Sequence, residues 1–176
     1  SLLPYMYSIG HDITANAGSI MRALSMDFAK DKKVHNIDNQ FMFGKSILVA
    51  AVTDSMYVNR INDNVVENFN VAKSQKVYLP EGADWYDFWT GEKLNGGQEV
   101  SKAAPIDIIP LYIKAGTILP WGPRVQYAEE RKWDNLKLFI YPGKDAEFEE
   151  PDFFKSWFFK PQLMYALTTI IIVGLG

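Results

Sequence analysis

The residues able to do chemistry are few, and most of them are carboxylates. Asp84 and Asp87 stand three apart in the segment Ala83-Asp84-Trp85-Tyr86-Asp87. General acid/base work would need both carboxyls to face one point. On a strand, three residues apart means opposite faces, so turn or edge roles are expected for both. Asp27 follows an apolar stretch, and Asp31 sits in the charged run Ala29-Lys30-Asp31-Lys32-Lys33; solvation or turn formation accounts for each. Arg22 interrupts an otherwise apolar face, and a buried guanidinium needs a carboxylate or several carbonyls. A structural salt bridge is the expected role. The two histidines are His11, beside a helical stripe and expected at a surface or interface, and His35, in a polar loop. Nothing near either completes a metal site. Trp85, Tyr86, Phe88 and Trp89 could stack on sugar rings, but alternation sends Trp85 and Trp89 to one side and Tyr86 and Phe88 to the other. A platform needs one face, so packing is the preferred reading.

Composition narrows the field further. The chain has 176 residues with no Cys, which excludes disulfides, thiolate zinc sites and a cysteine nucleophile. Eighteen basic against 21 acidic residues give a net charge of −3, too little positive field for a nucleic-acid partner. Apolar residues at 48% argue against disorder. The chain starts Ser1-Leu2-Leu3-Pro4, with no basic, apolar leader visible. Ala166 to Leu175 is almost wholly apolar, but falls well below the ~20 residues of a membrane-spanning helix. Absence of Cys and of Asn-x-Ser/Thr suits a bacterial cytoplasm or periplasm alike.

These side chains need elements to hold them. Leu2, Met6, Ile9 and Ile13 recur at four, three and four, which predicts a helix with one apolar stripe. Ser1 can cap it, Pro4 fits its first turn, and Gly18 can stop it. Ile20 to Phe28 reads as a strand, Asp38 to Phe43 as a short helix ending at Gly44, and Ile47 to Val52 as a strand buried on both faces. Residues 54–74 are Asn-rich without a clear period, and read as a surface excursion with few core contacts. Short strands follow at Lys76–Leu79, Trp85–Trp89, Gln98–Ser101, Ile108–Lys114, Thr117–Pro120 and Leu136–Tyr141. Turn residues separate them at Pro80-Glu81-Gly82, Thr90-Gly91, Gly96-Gly97 and Ala115-Gly116. Such spacing argues for an antiparallel sandwich or small barrel, and an antiparallel β-sandwich from about Ile20 to Tyr141 is expected. Its expected core includes Leu48, Val52, Phe88, Ile109, Leu111, Ile113 and Ile118.

Several stretches resemble glycoside hydrolase family 31. Leu2-Leu3-Pro4-Tyr5-Met6-Tyr7-Ser8 is similar to the helix that closes the family's catalytic barrel. Gly18, Met21-Arg22-Ala23-Leu24 and Met26-Asp27-Phe28 resemble the segment that leaves it. Asp38-Asn39-Gln40-Phe41-Met42-Phe43-Gly44, Ile47-Leu48-Val49-Ala50, Val77-Tyr78-Leu79-Pro80, Trp85-Tyr86-Asp87-Phe88-Trp89-Thr90-Gly91 and the run Ile109 to Pro120 follow in the family's order. The resemblance runs from Leu2 to about Phe148 and is greatest to α-xylosidase-like members. It implies a retaining α-glycosidase with a (β/α)8 barrel, acting on α-linked oligosaccharide. Retaining hydrolysis needs two carboxyl groups about 5 Å apart. In this family both stand on barrel strands before the closing helix, and no position here matches either motif. No catalytic residue, cofactor or metal ligand is therefore carried over, and Arg22 becomes a candidate salt bridge between sandwich and barrel.

The resulting organisation is a mainly β chain in four parts. Residues 1–18 are the closing helix of an absent barrel and 19–122 the proximal β-sandwich. Residues 123–148 are a link with the first strands of a distal β-domain, and 149–176 an atypical apolar tail. Ala51 stands where family members carry Pro, and the pattern departs altogether from Glu149. The tail could be an artefactual sequence, a substitute strand or a truncated anchor; no Lys/Arg cluster follows it. Two functions compete with a supporting role in a glycosidase: a free-standing carbohydrate-binding sandwich and a structural interaction module.

Overall fold

The computed structural model describes residues 1–62, 64–70, 73–127, 130, 136–143 and 169–172. Its centre is a six-stranded sheet in the order β1-β2-β3-β10-β7-β8, all neighbours antiparallel. The strands are β1 (Met21–Ala23), β2 (Gln40–Phe43), β3 (Ile47–Ala50), β10 (Leu111–Lys114), β7 (Trp85–Asp87) and β8 (Lys93–Leu94). The hairpin of β6 (Ser74–Leu79) and β9 (Gln98–Ala103) forms a second sheet. Helix α1 (Leu3–Asn16) and the pair β11 (Thr117–Trp121) and β12 (Lys137–Tyr141) pack with the opposite face. Strand β13 (Thr169–Ile172) adds to β12 in parallel. The rest of 149–176 lies outside the described residues.

Alternation along the central strands builds two cores. Leu48, Ala50, Met42, Tyr112 and Trp85 point to one side and pack with Val77, Tyr78 and Leu79 of β6. Ile47, Ile113 and Tyr86 point to the other and pack with Tyr5, Ile9, Leu119 and Tyr141. A sheet with both faces covered needs apolar residues at consecutive positions, which explains the unbroken Ile47-Leu48-Val49-Ala50 run.

Helix α1 carries its stripe differently from the expected set. Tyr5 and Ile9 are buried, with Leu2 and Ile13 packed beside them, whereas Met6 is 43% exposed. The stripe rests on the β domain itself. Gly44 sits at the point of closest approach with a φ of 62°; a Cβ there would lie 2.5 Å from Tyr5 Oη and 2.8 Å from Ile9 Cδ1. The helix ends at Asn16, with Ala17 rather than Gly18 in the left-handed region.

Other expectations need correction. Asp38 to Phe43 is not a helix: Gln40–Phe43 is β2, paired with β3 in a tight hairpin. The segment Ile20 to Phe28 extends only over Met21–Ala23 before turning into α2 (Leu24–Asp27). That turn brings Asp27 back to Arg22. Val52 and Ile109 are 39% and 53% exposed, since one follows the end of β3 and the other precedes Pro110. Leu48 and Ile113 are buried, and Phe88, Leu111 and Ile118 half-buried. The 54–74 stretch holds a hairpin of β4 (Val58–Ile61) and β5 (Asn64–Glu67), turning at Asn62 with φ 47°. Its β5 positions are all exposed.

Candidate functional site

A cleft of ≈ 1270 Å³ opens at one end of the central sheet, between the 26–31 segment, the Glu81–Asp84 turn, Lys93 and Ala115. Asp27, Asp31 and Asp84 all line it, so the fold gathers three of the acids singled out in the sequence. Each already has a structural partner. Asp27 holds Arg22 in a bidentate pair, Nε to Oδ2 at 2.9 Å and Nη2 to Oδ1 at 2.8 Å. Arg22 thus finds its carboxylate five residues away rather than across an interface. Asp84 pairs with Lys93 Nζ at 3.0 Å, and its carboxylate raises the Lys93 pKa by hydrogen bond and charge.

Asp31 is the most heavily used of them. It is only 6% exposed. Its Oδ2 accepts from Tyr78 Oη at 2.7 Å and from the Glu81 backbone N–H at 2.9 Å, and its Oδ1 accepts from Lys33 N at 3.0 Å. Burial alone would push the carboxyl pKa up. The donors from Glu81, Tyr78 and Lys33 outweigh it and hold the value below the ordinary one. The Tyr78 phenol, buried and facing that carboxylate, is pushed up to about 12. A loop acid was expected to be solvated. Its role as the cap of the 3-10 helix Lys32–Asn36 is instead an internal one, and the one hint in the sequence was a short polar acceptor just ahead of a turn.

Asp87 lies apart from the cleft and is 3% exposed. Its Oδ1 accepts from Trp89 N and Thr90 N, closing a turn, while Oδ2 pairs with Lys102 Nζ of β9 at 2.5 Å. The turn role expected of it is present, with an added clamp between two sheets. Asp84 and Asp87 do not converge on one point. Gln40, given no role of its own in the sequence, brackets the Tyr78 backbone by donating to its carbonyl at 2.8 Å and accepting from its N–H at 2.9 Å.

The aromatic segment divides between layers. Trp85 is fully buried in the first core, with Nε1 donating to Pro80 O, and Tyr86 is buried in the second. Trp89 does not share Trp85's side. The Asp87 turn carries it around to meet Phe88 edge-on, at 5.1 Å and 88°, with Nε1 donating to Ile109 O. Rings packed edge to face present no flat shelf to a sugar. His11 is half-buried, and exposed His35 lies 3.3 Å from Ala29 O. Among the described residues, no three of His, Asp and Glu gather as a metal site would require, and no helix is long and apolar enough to cross a membrane.

Residues 17–119 match the model of the glycosyl hydrolase family 31 C-terminal domain. The chain belongs to glycosyl hydrolase family 31. Among its relatives, the α-xylosidase of Saccharolobus solfataricus is 41% identical over 84% of this chain and 18% of its own length. The isomaltosyltransferase of Sporosarcina globispora is 32% identical over 81% of this chain and 12% of its own. The crystal structure of the family-31 α-xylosidase from Xanthomonas citri superposes with a TM-score of 0.67 at 38% identity, over 81% of this chain and 14% of that one. The cycloalternan-forming enzyme of Listeria monocytogenes, solved with a pentasaccharide substrate, gives a TM-score of 0.71 at 31% identity over 89% of this chain. The chain therefore spans less than a fifth of the length of these relatives. The family-31 domain matched is the β domain described above.

Proposed function

We propose that this chain is the C-terminal supporting part of a retaining α-glycosidase that removes terminal α-linked xylose or glucose, and that it has no turnover of its own. One observation carries the second half: Asp27, Asp31, Asp84 and Asp87 are each committed to an Arg, a Tyr, a Lys or a turn. Retaining hydrolysis asks for a nucleophile and a proton donor about 5 Å apart across a sugar. A carboxyl serving as the donor has its pKa raised so that it stays neutral. The resolved carboxylate shifts here, at Asp31 and Asp12, go downward. At Asp12 the Asn16 amide is the main cause. In this reading, oligosaccharide is the substrate of the parent enzyme's barrel, and residues 1–18 are the barrel's closing helix on which the sandwich rests.

The four-part division of the chain at residues 18, 122 and 148 belongs to this proposal. A free-standing carbohydrate-binding role is disfavoured by the edge-on Phe88–Trp89 pair. The test is a chimera. The stretch of the S. solfataricus α-xylosidase that aligns with this chain is replaced by the chain itself, and release of nitrophenol from an aryl α-xyloside is followed. Hydrolysis by the chimera supports the reading. A folded chimera without hydrolysis contradicts it.

A further inference from the structure

The turn between β8 and β9 holds Asn95-Gly96, the one Asn-Gly step in the sequence. Asn95 is exposed and lines the cleft described above. Its backbone carbonyl accepts from Gln98 Nε2 at 2.8 Å. Among the described residues, neither its carboxamide nor the Gly96 N–H has a hydrogen-bond partner. The residue after Asn95 has to be glycine. A Cβ at position 96 would run into the backbone carbonyls of Pro80 and Ala83, so the close approach of these two turns admits no side chain. Gly97 follows with a φ of 79° and donates its N–H to Leu79 O at 2.8 Å. The fold thus sets an unbonded, unhindered amide nitrogen next to a solvent-facing carboxamide.

We propose that Asn95 is a site of spontaneous modification, at which the folded chain converts its own carboxamide to a carboxylate through a cyclic imide with Gly96. The Gly96 nitrogen attacks Asn95 Cγ and gives up its proton, the Cγ–Nδ2 bond breaks, and ammonia leaves. Water then opens the five-membered ring. Cleavage between Cγ and the nitrogen leaves aspartate at 95. Cleavage between the Asn95 carbonyl carbon and the nitrogen leaves isoaspartate, whose main chain runs through Cβ and Cγ. Water is the only co-reactant, and nothing of the parent glycosidase is needed. Glycine favours the attack because no Cβ crowds its nitrogen. Asn64 is also exposed, but is followed by Val65, whose branched side chain hinders the same approach. The two products differ in consequence. Aspartate adds a charge to the cleft wall that already holds the Asp84–Lys93 pair. Isoaspartate lengthens the main chain next to Gly96, whose backbone lies against Pro80 and Ala83. Pro80 O also accepts from the buried Trp85 Nε1, so the lengthened turn pushes on the first core.

The test ages the purified, folded 176-residue chain in warm, mildly alkaline buffer and digests it with trypsin, which releases residues 94–102 with Gln98 as the one other side-chain amide. Mass spectrometry with fragmentation should place the amide-to-acid mass gain on residue 95, in two chromatographic forms, aspartate and isoaspartate. The gain at Asn95 should run at least about tenfold faster than at Asn64, a difference of one decade in rate. Asn95→Gln, whose longer side chain would have to close a larger ring, should abolish it. The aged chain should unfold at least about 3 °C below the fresh one, whereas freshly prepared Asn95→Asp, which carries the charge without the lengthened main chain, should stay within about 1 °C of the parent. A gain at residue 95 seen only in the urea-unfolded chain, or one no faster than at Asn64, overturns the proposal. So would ageing of the Asn95→Gln chain that lowers its transition as far, since the loss would then arise elsewhere.

Discussion

Tyr78 Oη donates a 2.7 Å hydrogen bond to Asp31 Oδ2 across 47 residues of sequence. It ties the loop after α2 to strand β6, and the Glu81 N–H adds a second tie to the same oxygen. Replacing Asp31 by Ala leaves a buried phenol and a backbone N–H without their acceptor. Each orphaned buried group costs about 1–3 kcal/mol, so urea unfolding of Asp31→Ala should show a loss of roughly 2–4 kcal/mol.

The same carboxylate sets a pH dependence. Its folded pKa is lowered, so its contribution is complete above the unfolded value of about 3.9. It fades as pH falls through the folded value. Asp31→Asn should therefore flatten the acid limb of the stability curve below about pH 4 while leaving the slope at neutral pH unchanged. An acid limb identical to the parent's would remove Asp31 from this role.

At the alkaline end, tyrosines take over. Burial pushes Tyr5, Tyr112 and Tyr141 up to about 12, and Tyr78 likewise with Asp31 adding to burial. Because the folded values are raised, their contribution is complete below the unfolded phenol value of about 10 and is lost as pH rises through about 12. Absorbance at the phenolate band should show four of the tyrosines ionising late, together with unfolding. All nine tyrosines ionising near pH 10 in a still-folded chain would contradict the buried placement.

Gly44→Ala should loosen α1 from the β domain. The added methyl would meet Tyr5 Oη and Ile9 Cδ1 at a residue with a φ of 62°, combining overpacking with backbone strain. A destabilisation of about 1–3 kcal/mol is expected, with hydrogen exchange rising first in residues 3–16. Uniform exchange across the chain would show that α1 is not seated through Gly44.

Much of the β domain is legible in the sequence because its strands are short and bounded by turn residues. Leu79 and Lys114 each end a strand next to such a break, whereas the strand expected over Trp85–Trp89 stops at Asp87, whose carboxylate closes a turn on Trp89 N and Thr90 N. The 40–43 strand is less legible: Gln-Phe-Met-Phe is too short to show a period, and only its hairpin with 47–50 decides it. Residues 20–28 mislead in the opposite sense, since a guanidinium–carboxylate pair at a spacing of five bends a segment whose apolar pattern suits a strand. Asp31 is hidden for a physical reason as well. Three lysines, Lys30, Lys32 and Lys33, surround it in sequence. The partner that buries it, Tyr78, arrives from another sheet. The roles of Asp84 and Asp87 in pairs and turns are readable from strand alternation, but Lys102 as the partner of Asp87 is not, because β9 is brought to it only by the pairing of β6 with β9.

The central claim is that this chain supports catalysis without performing it. The purified 176-residue chain is incubated with chromogenic aryl α-xylosides and α-glucosides, and released aglycone is followed against a protein-free control. The prediction is release equal to the control at every pH tested, because Asp27, Asp31, Asp84 and Asp87 are each held by a structural partner. Release above the control that disappears in Asp84→Asn or Asp87→Asn would contradict the account and put a catalytic site inside the β domain.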